Sequence, residues 1–177
     1  MFCGSRFGND AVYREASTAL GQGIAAAGWR LVYGGGRVGL MGVVADAVLA
    51  GGGDVLGIIP EFLQRREVMH QGVTRMLVTA TMHDRKRLMF DAADAFVVMP
   101  GGLGTYDETI EITTWRQLGL HNKPVLICDV AGWAQPYLAT VQSAIDRGFA
   151  DPAVTGLQEV LPDVPATLAR LEAYAAA

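Results

Sequence analysis

Residues 95–105 read Ala-Phe-Val-Val-Met-Pro-Gly-Gly-Leu-Gly-Thr, a short apolar run that ends in a glycine-rich loop and leads into a helical pattern. Two other stretches have the same order of elements. Leu31-Val32-Tyr33 precedes Gly34-Gly35-Gly36-Arg37-Val38-Gly39, and Met1-Phe2-Cys3 precedes Gly4-Ser5-Arg6-Phe7-Gly8. Strand, loop and helix repeated in this order predict βαβ units and a parallel sheet, with all three loops at its carboxyl edge.

The rest of the chain continues this alternation of short β-branched runs and longer helical patterns. We predict a doubly wound parallel α/β sheet with helices on both faces, in a single domain over residues 1–177. Strands are predicted at 1–3, 30–33, 55–59, 75–79, 95–99 and 125–128, and helices at about 10–27, 40–50, 82–93, 105–118, 131–147 and 165–176. The first strand is short for a central position, so either residues are missing upstream or the numbering begins late.

The composition is that of a globular protein. Of the 177 residues, 51% are hydrophobic and 18% are charged, with a mean hydropathy of +0.26, which excludes disordered and collagen-like chains. No apolar run has the length of a membrane span and no signal peptide is visible, so we expect a cytoplasmic protein with no membrane partner. A net charge of −4 without a long basic block argues against nucleic-acid binding. Cys3 and Cys128 form neither a disulfide pattern nor a zinc pattern.

The glycine loops indicate a phosphorylated small molecule as the ligand. Glycine lets the backbone approach a ligand closely, and the free N–H groups of the following helix attract a phosphate. The middle loop fits G-x-G-x-x-G, but a dinucleotide site also needs an acidic residue at the end of the following strand. The one candidate is Glu61, which comes after that strand and follows Pro60. For any single loop, the alternative is that its glycines serve tight turns and close helix packing.

A carboxylate follows the third loop. Glu108 comes three residues after Thr105, and Glu111 and Trp115 continue the same helical face. This spacing would place Glu108 one turn from a phosphate site. The alternative is a capping box, in which Glu108 accepts a hydrogen bond from the backbone N–H of Thr105.

The segment from Met82 to Arg87 concentrates cations at the start of a helix, where the helix dipole disfavours them. Arg85 could hold an anion through its guanidinium fork, or pair with Asp84 or Asp91 at the surface. Thr81-x-x-Asp84 is a second candidate capping box.

The remaining reactive side chains predict no metal and no cofactor. His70, His83 and His121 are scattered, have no metal-ligand spacing and are expected at the solvated surface. Ser5 lacks the surroundings of a nucleophile, and we expect it to offer its hydroxyl to a ligand. A Schiff-base enzyme would have to use Lys86, in a chain that is small for a pyridoxal-phosphate fold.

Three motifs together resemble one family. They are Pro-Gly-Gly-x-Gly-Thr-x-x-Glu at 100–108, Met-His-x-Arg-Lys at 82–86 and Leu-Val-Tyr-Gly-Gly-Gly-x-x-Gly-Leu-Met-Gly at 31–42. From Phe2 to about Tyr137 the chain resembles the LOG (Lonely Guy) family, the cytokinin riboside 5′-monophosphate phosphoribohydrolases, which are often mislabelled as lysine decarboxylases.

The resemblance implies a Rossmann-like fold, a homodimer with its sites near the interface, and hydrolysis of N6-substituted adenosine monophosphates to free base and ribose 5-phosphate. AMP itself is a candidate substrate. The resemblance also places Arg85 and Glu108 on the family's catalytic pair. It implies that Glu67 and Lys86 contact the substrate and that Gly101, Gly102, Gly104 and Thr105 form the phosphate loop. Gly4, Ser5, Gly35 and Met82 are further candidates for substrate binding.

The chemistry is consistent with this assignment, because breaking the bond between ribose and purine builds positive charge on the sugar. Glu108 could stabilise that charge or activate the attacking water. Arg85 stays protonated, so orienting the phosphate or the departing base suits it better than donating a proton. Asp84 and Asp107 are candidates for protonating the purine. The rival hypothesis is a non-catalytic nucleotide or molybdenum-cofactor carrier of similar fold, which would need the glycine loops but not the carboxylate.

Overall fold

The computed structural model describes residues 1–176 and contains six parallel strands in two groups of three. In the first group β2 lies between β1 and β3, and in the second β5 lies between β4 and β6. The strands are β1 (Arg30–Tyr33), β2 (Asp54–Pro60), β3 (Arg75–Thr79), β4 (Phe96–Val98), β5 (Val125–Cys128) and β6 (Glu159–Leu161).

The first residues of the chain join the two groups. The Met1 amino group donates to Val32 O at 2.7 Å, on the β1 side. On the β4 side, Phe2 N donates to Val97 O and Met99 N donates to Phe2 O, both at 2.9 Å. The predicted strand at 1–3 is therefore reduced to a single bridge, because so short a segment cannot form a ladder. It still occupies the centre of a doubly wound order, β3-β2-β1 on one side and β4-β5-β6 on the other.

Helices cover both faces of the sheet, as the alternation of apolar residues predicts. Leu31 and Tyr33 of β1 point to one face and Val32 to the other, and each face has its own core cluster. The helices are α1 (Ala11–Ala26), α2 (Gly39–Ala50), α3 (Met82–Asp91), α4 (Leu103–Gln117), α5 (Gln135–Asp146) and α6 (Val164–Ala175). Side chains of α1, α2 and α6 pack in the first cluster, and those of α3, α4 and α5 in the second.

Two sequence expectations fail in the last third of the chain. The helix predicted from residue 131 to 147 begins later, because Ala131 has a left-handed φ of 52°. The helix α5 begins at Gln135, and just before it Ala134 N donates to Asp129 Oδ1 at 2.7 Å. The sequence pattern also did not predict β6, which has only three residues and pairs with β5 alone. Among residues 1–176, no helix combines the length and the apolarity needed to cross a membrane.

Candidate active site

The three glycine loops meet at the carboxyl edge of the sheet, as predicted. Gly4 connects them: its N–H donates to Pro100 O at 2.9 Å, and its carbonyl accepts from Leu40 N at 3.0 Å. A Cβ atom on Gly4 would lie 3.1 Å from Gly101 Cα. The first loop therefore lies between the second and third loops and contacts both, so that the three loops lie together.

The middle loop is closed, and its glycines serve packing. Gly4 O accepts from both Leu40 N and Met41 N in the first turn of α2, so these donors are not free for a phosphate. Gly39 has φ 59°, and a Cβ atom there would overlap Arg6 N and the carbonyl carbon of Ser5. Gly35, a candidate for substrate binding, is buried, and its carbonyl accepts from His70 N at 2.9 Å. Two donors of the first turn of α2 are therefore already used, and the tight-packing alternative accounts for the glycines of this loop.

The third loop leaves the start of α4 open. Gly102 is the N-cap and offers no side chain, and Tyr106 N makes the first hydrogen bond of the helix, to Gly102 O at 3.1 Å. The N–H groups of Leu103, Gly104 and Thr105 precede that bond and point out of the helix end. Gly102 and Gly104 are exposed, with open space where a Cβ would stand. This helix start has the features of an anion site.

The shape of this loop depends on Gly101. A Cβ atom at position 101 would overlap Thr105 Oγ1, so only glycine fits beneath the first turn of α4. Trp133 Nε1 donates to Gly101 O at 3.0 Å and holds the loop from the following βα connection. The sequence analysis missed Trp133, because it lies 32 residues from its partner and no local pattern indicates the contact.

The capping-box alternative for Glu108 is wrong. It requires Thr105 at the N-cap, but α4 begins two residues earlier, at Leu103, and Thr105 is already inside the first turn. The carbonyl of Thr105 accepts from Thr109 Oγ1 at 2.7 Å, as in a helix interior. Half of the other candidate box is present: Asp84 N donates to the N-cap Thr81 Oγ1 at 3.0 Å, but the Asp84 carboxylate accepts from the Thr81 hydroxyl, at 2.7 Å, and not from its backbone N–H.

Arg85 points into the protein and not to the surface. Its side chain is 5% exposed, with Nε donating to Ile58 O at 3.1 Å and Nη2 donating to Gly34 O at 3.0 Å. Its ion pair is with Glu67, at 3.5 Å from Nη2 to Oε2, so the predicted alternative of a surface pair with Asp84 or Asp91 is wrong. Nη1 contacts only the thioether of Met82, at 3.8 Å, among the described residues. Because Nε and Nη2 already donate to carbonyl oxygens, Nη1 is the nitrogen that can donate to an oxygen of a ligand.

Glu67 and Lys86 are also drawn to this edge. Burial raises the pKa of Glu67, and the Arg85 charge opposes that rise. Lys86 Nζ lies 2.6 Å from Asp107 Oδ2 and 3.2 Å from Glu111 Oε2, so it ties α3 to α4. Burial alone would lower the pKa of Lys86, but the hydrogen bonds to the two carboxylates outweigh it and raise that pKa. Lys86 is therefore a protonated ammonium.

Glu108 has the most perturbed carboxyl in the site. Burial raises its pKa to about 7, against the lowering effects of the Arg85 guanidinium, the Met1 amino group and Lys86. Arg85 Nη2 lies 3.5 Å from Glu67 Oε2, and both charges act on Glu108: the guanidinium lowers the pKa of that carboxyl and the Glu67 carboxylate raises it. A carboxyl that titrates near neutral pH beside an open helix start is suited to acid–base chemistry.

The other predicted groups contribute less. Ser5 is exposed on the first loop, as expected of a hydroxyl offered to a ligand. Burial raises the pKa of the Cys3 thiol to about 12, so it is not a nucleophile at neutral pH. His83 is exposed, but the surface prediction is wrong for His70 and His121, which are 4% and 8% exposed. Both are held by hydrogen bonds; His121 Nε2 bonds to Ile112 O at 2.9 Å.

Comparison with known proteins decides the family. A family model described as "Possible lysine decarboxylase" matches residues 41–171. A cytokinin riboside 5′-monophosphate phosphoribohydrolase of Arabidopsis thaliana is 41% identical over 174 residues, which are 98% of this chain and 82% of the relative. The enzyme of the same name from Rhodococcoides fascians is 41% identical over 172 residues, 97% of this chain and 87% of the relative. The chain belongs to the LOG family.

Solved structures agree with the fold of this LOG-family chain. The molybdenum-cofactor carrier protein of Chlamydomonas reinhardtii has a TM-score of 0.73 and 22% identity, covering 99% of this chain and 94% of the carrier. At that identity the likeness shows the Rossmann-like fold alone.

Proposed function

We propose that this protein is a phosphoribohydrolase that cleaves the N-glycosidic bond of cytokinin riboside 5′-monophosphates and of AMP, releasing the free base and ribose 5-phosphate. The observation that carries the proposal is Glu108, a half-buried carboxyl with a pKa of about 7, one turn from the open start of α4. Relatives about 40% identical over nearly the whole chain carry the name of this activity, whereas the carrier structures share only the fold at about 20% identity. This difference favours the hydrolase over the carrier.

The 5′-phosphate binds at the start of α4. The N–H groups of Leu103, Gly104 and Thr105 and the helix dipole supply the positive potential, and the bare backbone at Gly102 and Gly104 lets the phosphate approach. Ser5 on the adjacent loop offers its hydroxyl. With the phosphate held there, the ribose extends towards Glu108, which lies one turn further along α4.

Glu108 acts on the ribose. When the bond between C1′ and the purine nitrogen breaks, its electron pair leaves with the base and C1′ becomes cationic. The ionised Glu108 carboxylate stabilises that cation and then accepts a proton from the water that adds to C1′, while the departing base takes up one proton from solvent and is released neutral. A pKa of about 7 suits a group that must be ionised and basic at neutral pH.

Arg85 and Glu67 orient the substrate. Arg85 is held by Ile58 O and Gly34 O and presents Nη1 to a substrate oxygen, while Glu67 accepts from a ribose hydroxyl. Arg85 cannot act as the acid, because a guanidinium does not deprotonate at working pH. The remaining residues proposed for substrate binding are Gly4, Gly35, Met82, Lys86 and Gly101.

Release of free base tests the proposal. Purified protein should liberate adenine from AMP and N6-isopentenyladenine from the corresponding nucleotide, separated by chromatography, and the ratio of the two kcat/KM values would name the preferred base. Ribose 5-phosphate should appear in equal amount. Tight binding of either nucleotide without any release of base would instead support the carrier.

The pH dependence should report the titration of Glu108. Because burial raises its pKa to about 7, the carboxyl is protonated below that value, so kcat/KM should rise with pH through about 7 and then level off. The 5′-phosphate of the substrate titrates near pH 6 in every variant. In Glu108→Gln, the residual kcat/KM should therefore still change with pH near 6, where the phosphate titrates, but should no longer change near pH 7. A wild-type rate that falls through pH 7 would mean that Glu108 works as an acid.

We also propose that the protein is a homodimer formed through the exposed side of α4. Three apolar residues lie along it, Leu103, Ile110 and Leu118, with 87%, 52% and 67% of their surfaces exposed. Light scattering should give twice the chain mass of 18.8 kDa, and Ile110→Lys should halve it. A monomeric wild type would contradict this.

The cytoplasmic location stays a prediction from the sequence.

A further inference from the structure

The segment 61–72, which connects β2 to β3 and carries Glu67, has little packing of its own. After a 3-10 turn at Glu61–Leu63 it contains no regular helix or strand, and Phe62 and Val68 are 56% and 53% exposed. Within this segment His70 alone is buried, at 4% exposure. His70 is therefore the residue of this segment best placed to hold Glu67 at the site.

His70 is bonded on three sides. Its Nδ1 accepts from Gly72 N at 3.0 Å, which leaves the ring proton on Nε2 to be donated to Asp46 Oδ1 at 2.9 Å. Its backbone N–H donates to Gly35 O at 2.9 Å. Asp46 lies in the middle of α2, so His70 connects the segment to a rigid helix and to the middle glycine loop at the same point.

The connection reaches Glu67 through the backbone. Arg37 N is shared between Glu67 O at 3.0 Å and Val68 O at 2.9 Å, and Met69 forms a bridge with Gly36. Val68 has a left-handed φ of 48°, a conformation that a β-branched residue adopts only when its surroundings impose it. This bend turns the Glu67 side chain towards Arg85, at 3.5 Å.

We propose that His70 and Asp46 are positioning residues: their hydrogen bond fixes segment 61–72 so that Glu67 faces Arg85 and the substrate. The inference rests on the proposed substrate-binding role of Glu67. Neither His70 nor Asp46 touches the reacting atoms in this arrangement. Without Asp46 the buried Nε2–H of His70 loses its acceptor, the ring leaves its place, and the strained bend at Val68 relaxes.

Paired substitutions of Asp46 test the proposal with little risk to folding, because the Asp46 side chain is 55% exposed. Asp46→Ala removes the acceptor, whereas Asp46→Asn keeps an oxygen that accepts from Nε2–H. Asp46→Ala should raise KM for AMP about tenfold with kcat nearly unchanged, the pattern of lost ground-state binding. Amide hydrogen exchange at residues 67–72 should accelerate at least tenfold. Asp46→Asn should restore both values, and Asp146→Ala, an exposed aspartate on α5, is the matched control.

A double substitution shows whether the effect passes through Glu67. In a Glu67→Ala background, Asp46→Ala should raise KM no further, because the group that it positions is gone. An additive effect would overturn the proposal, and so would unchanged exchange at residues 67–72 in Asp46→Ala. If wild-type protein released no base, the proposed function would fail, but the exchange measurement would still decide whether the Asp46–His70 bond holds the segment.

Discussion

Glu108→Gln should lower kcat for base release by about a thousandfold and leave nucleotide binding nearly intact. The amide has nearly the shape of the carboxyl but carries no negative charge, so it neither stabilises a cationic ribose nor accepts a proton from water. The phosphate site at the start of α4 is built from backbone and is not altered. Steady-state release of adenine and equilibrium binding of AMP would measure the two effects separately.

The same substitution should stabilise the protein at pH 8. The pKa of Glu108 is raised from 4.5 to about 7 by burial, so below pH 4.5 the carboxyl is protonated in both folded and unfolded states. As pH rises towards 7 the unfolded chain ionises first, and the free energy of unfolding falls by about 3 kcal/mol in total. Glu108→Gln removes this penalty, so its gain should be present at pH 8 and absent at pH 4.

Urea unfolding at the two pH values would measure the gain in stability. Glu172→Gln is the control, because Glu172 is an exposed carboxylate on α6, far from the glycine loops, and should change neither activity nor the pH dependence of stability. A Glu108→Gln protein with wild-type turnover would rule out the catalytic role. Equal stability changes at pH 4 and pH 8 would rule out the buried, ionised carboxylate.

Arg85→Lys should lower kcat/KM at least a hundredfold and destabilise the fold by about 2–4 kcal/mol, although the charge is retained. The guanidinium donates to Ile58 O and Gly34 O at once, and a lysine ammonium cannot reach both carbonyls from the same backbone position. One buried carbonyl would lose its partner, and the orienting nitrogen at Nη1 would be lost with it. Base-release kinetics and chemical unfolding would measure the two losses.

Arg87→Lys on the same helix is the matched control. Its side chain is 73% exposed and its contact with Asp91 is 3.7 Å, so the change should stay within about 0.5 kcal/mol and leave turnover alone. If Arg85→Lys behaved like Arg87→Lys, the two carbonyl contacts would not be what places the cation, and the role assigned to Arg85 would be wrong.

The local pattern predicted the fold and the edge of the sheet at which the glycine loops meet. Alternating apolar runs in β1 to β5, each leading to a helix, are sufficient to predict a parallel sheet, and glycines after strands predict loops at its carboxyl edge. The strand β6 was missed for a physical reason: three residues with one neighbour carry too little pattern to separate from a loop. The proposal that Arg85 and Glu108 form the catalytic pair came from the family motifs and not from spacing, which left a capping box open for Glu108.

The order of strands and helices and the chemistry available at the loops follow from the sequence alone, because hydrophobic period and glycine placement are local properties. Which loop is open to an anion depends on the folded arrangement, since Gly4 closes the start of α2 and not that of α4. The folded arrangement also decided that Arg85 turns inward, that His70 is buried beside Asp46, and that the pKa of Glu108 lies near 7. These properties depend on burial and on charges brought together from distant parts of the chain, which no local pattern contains.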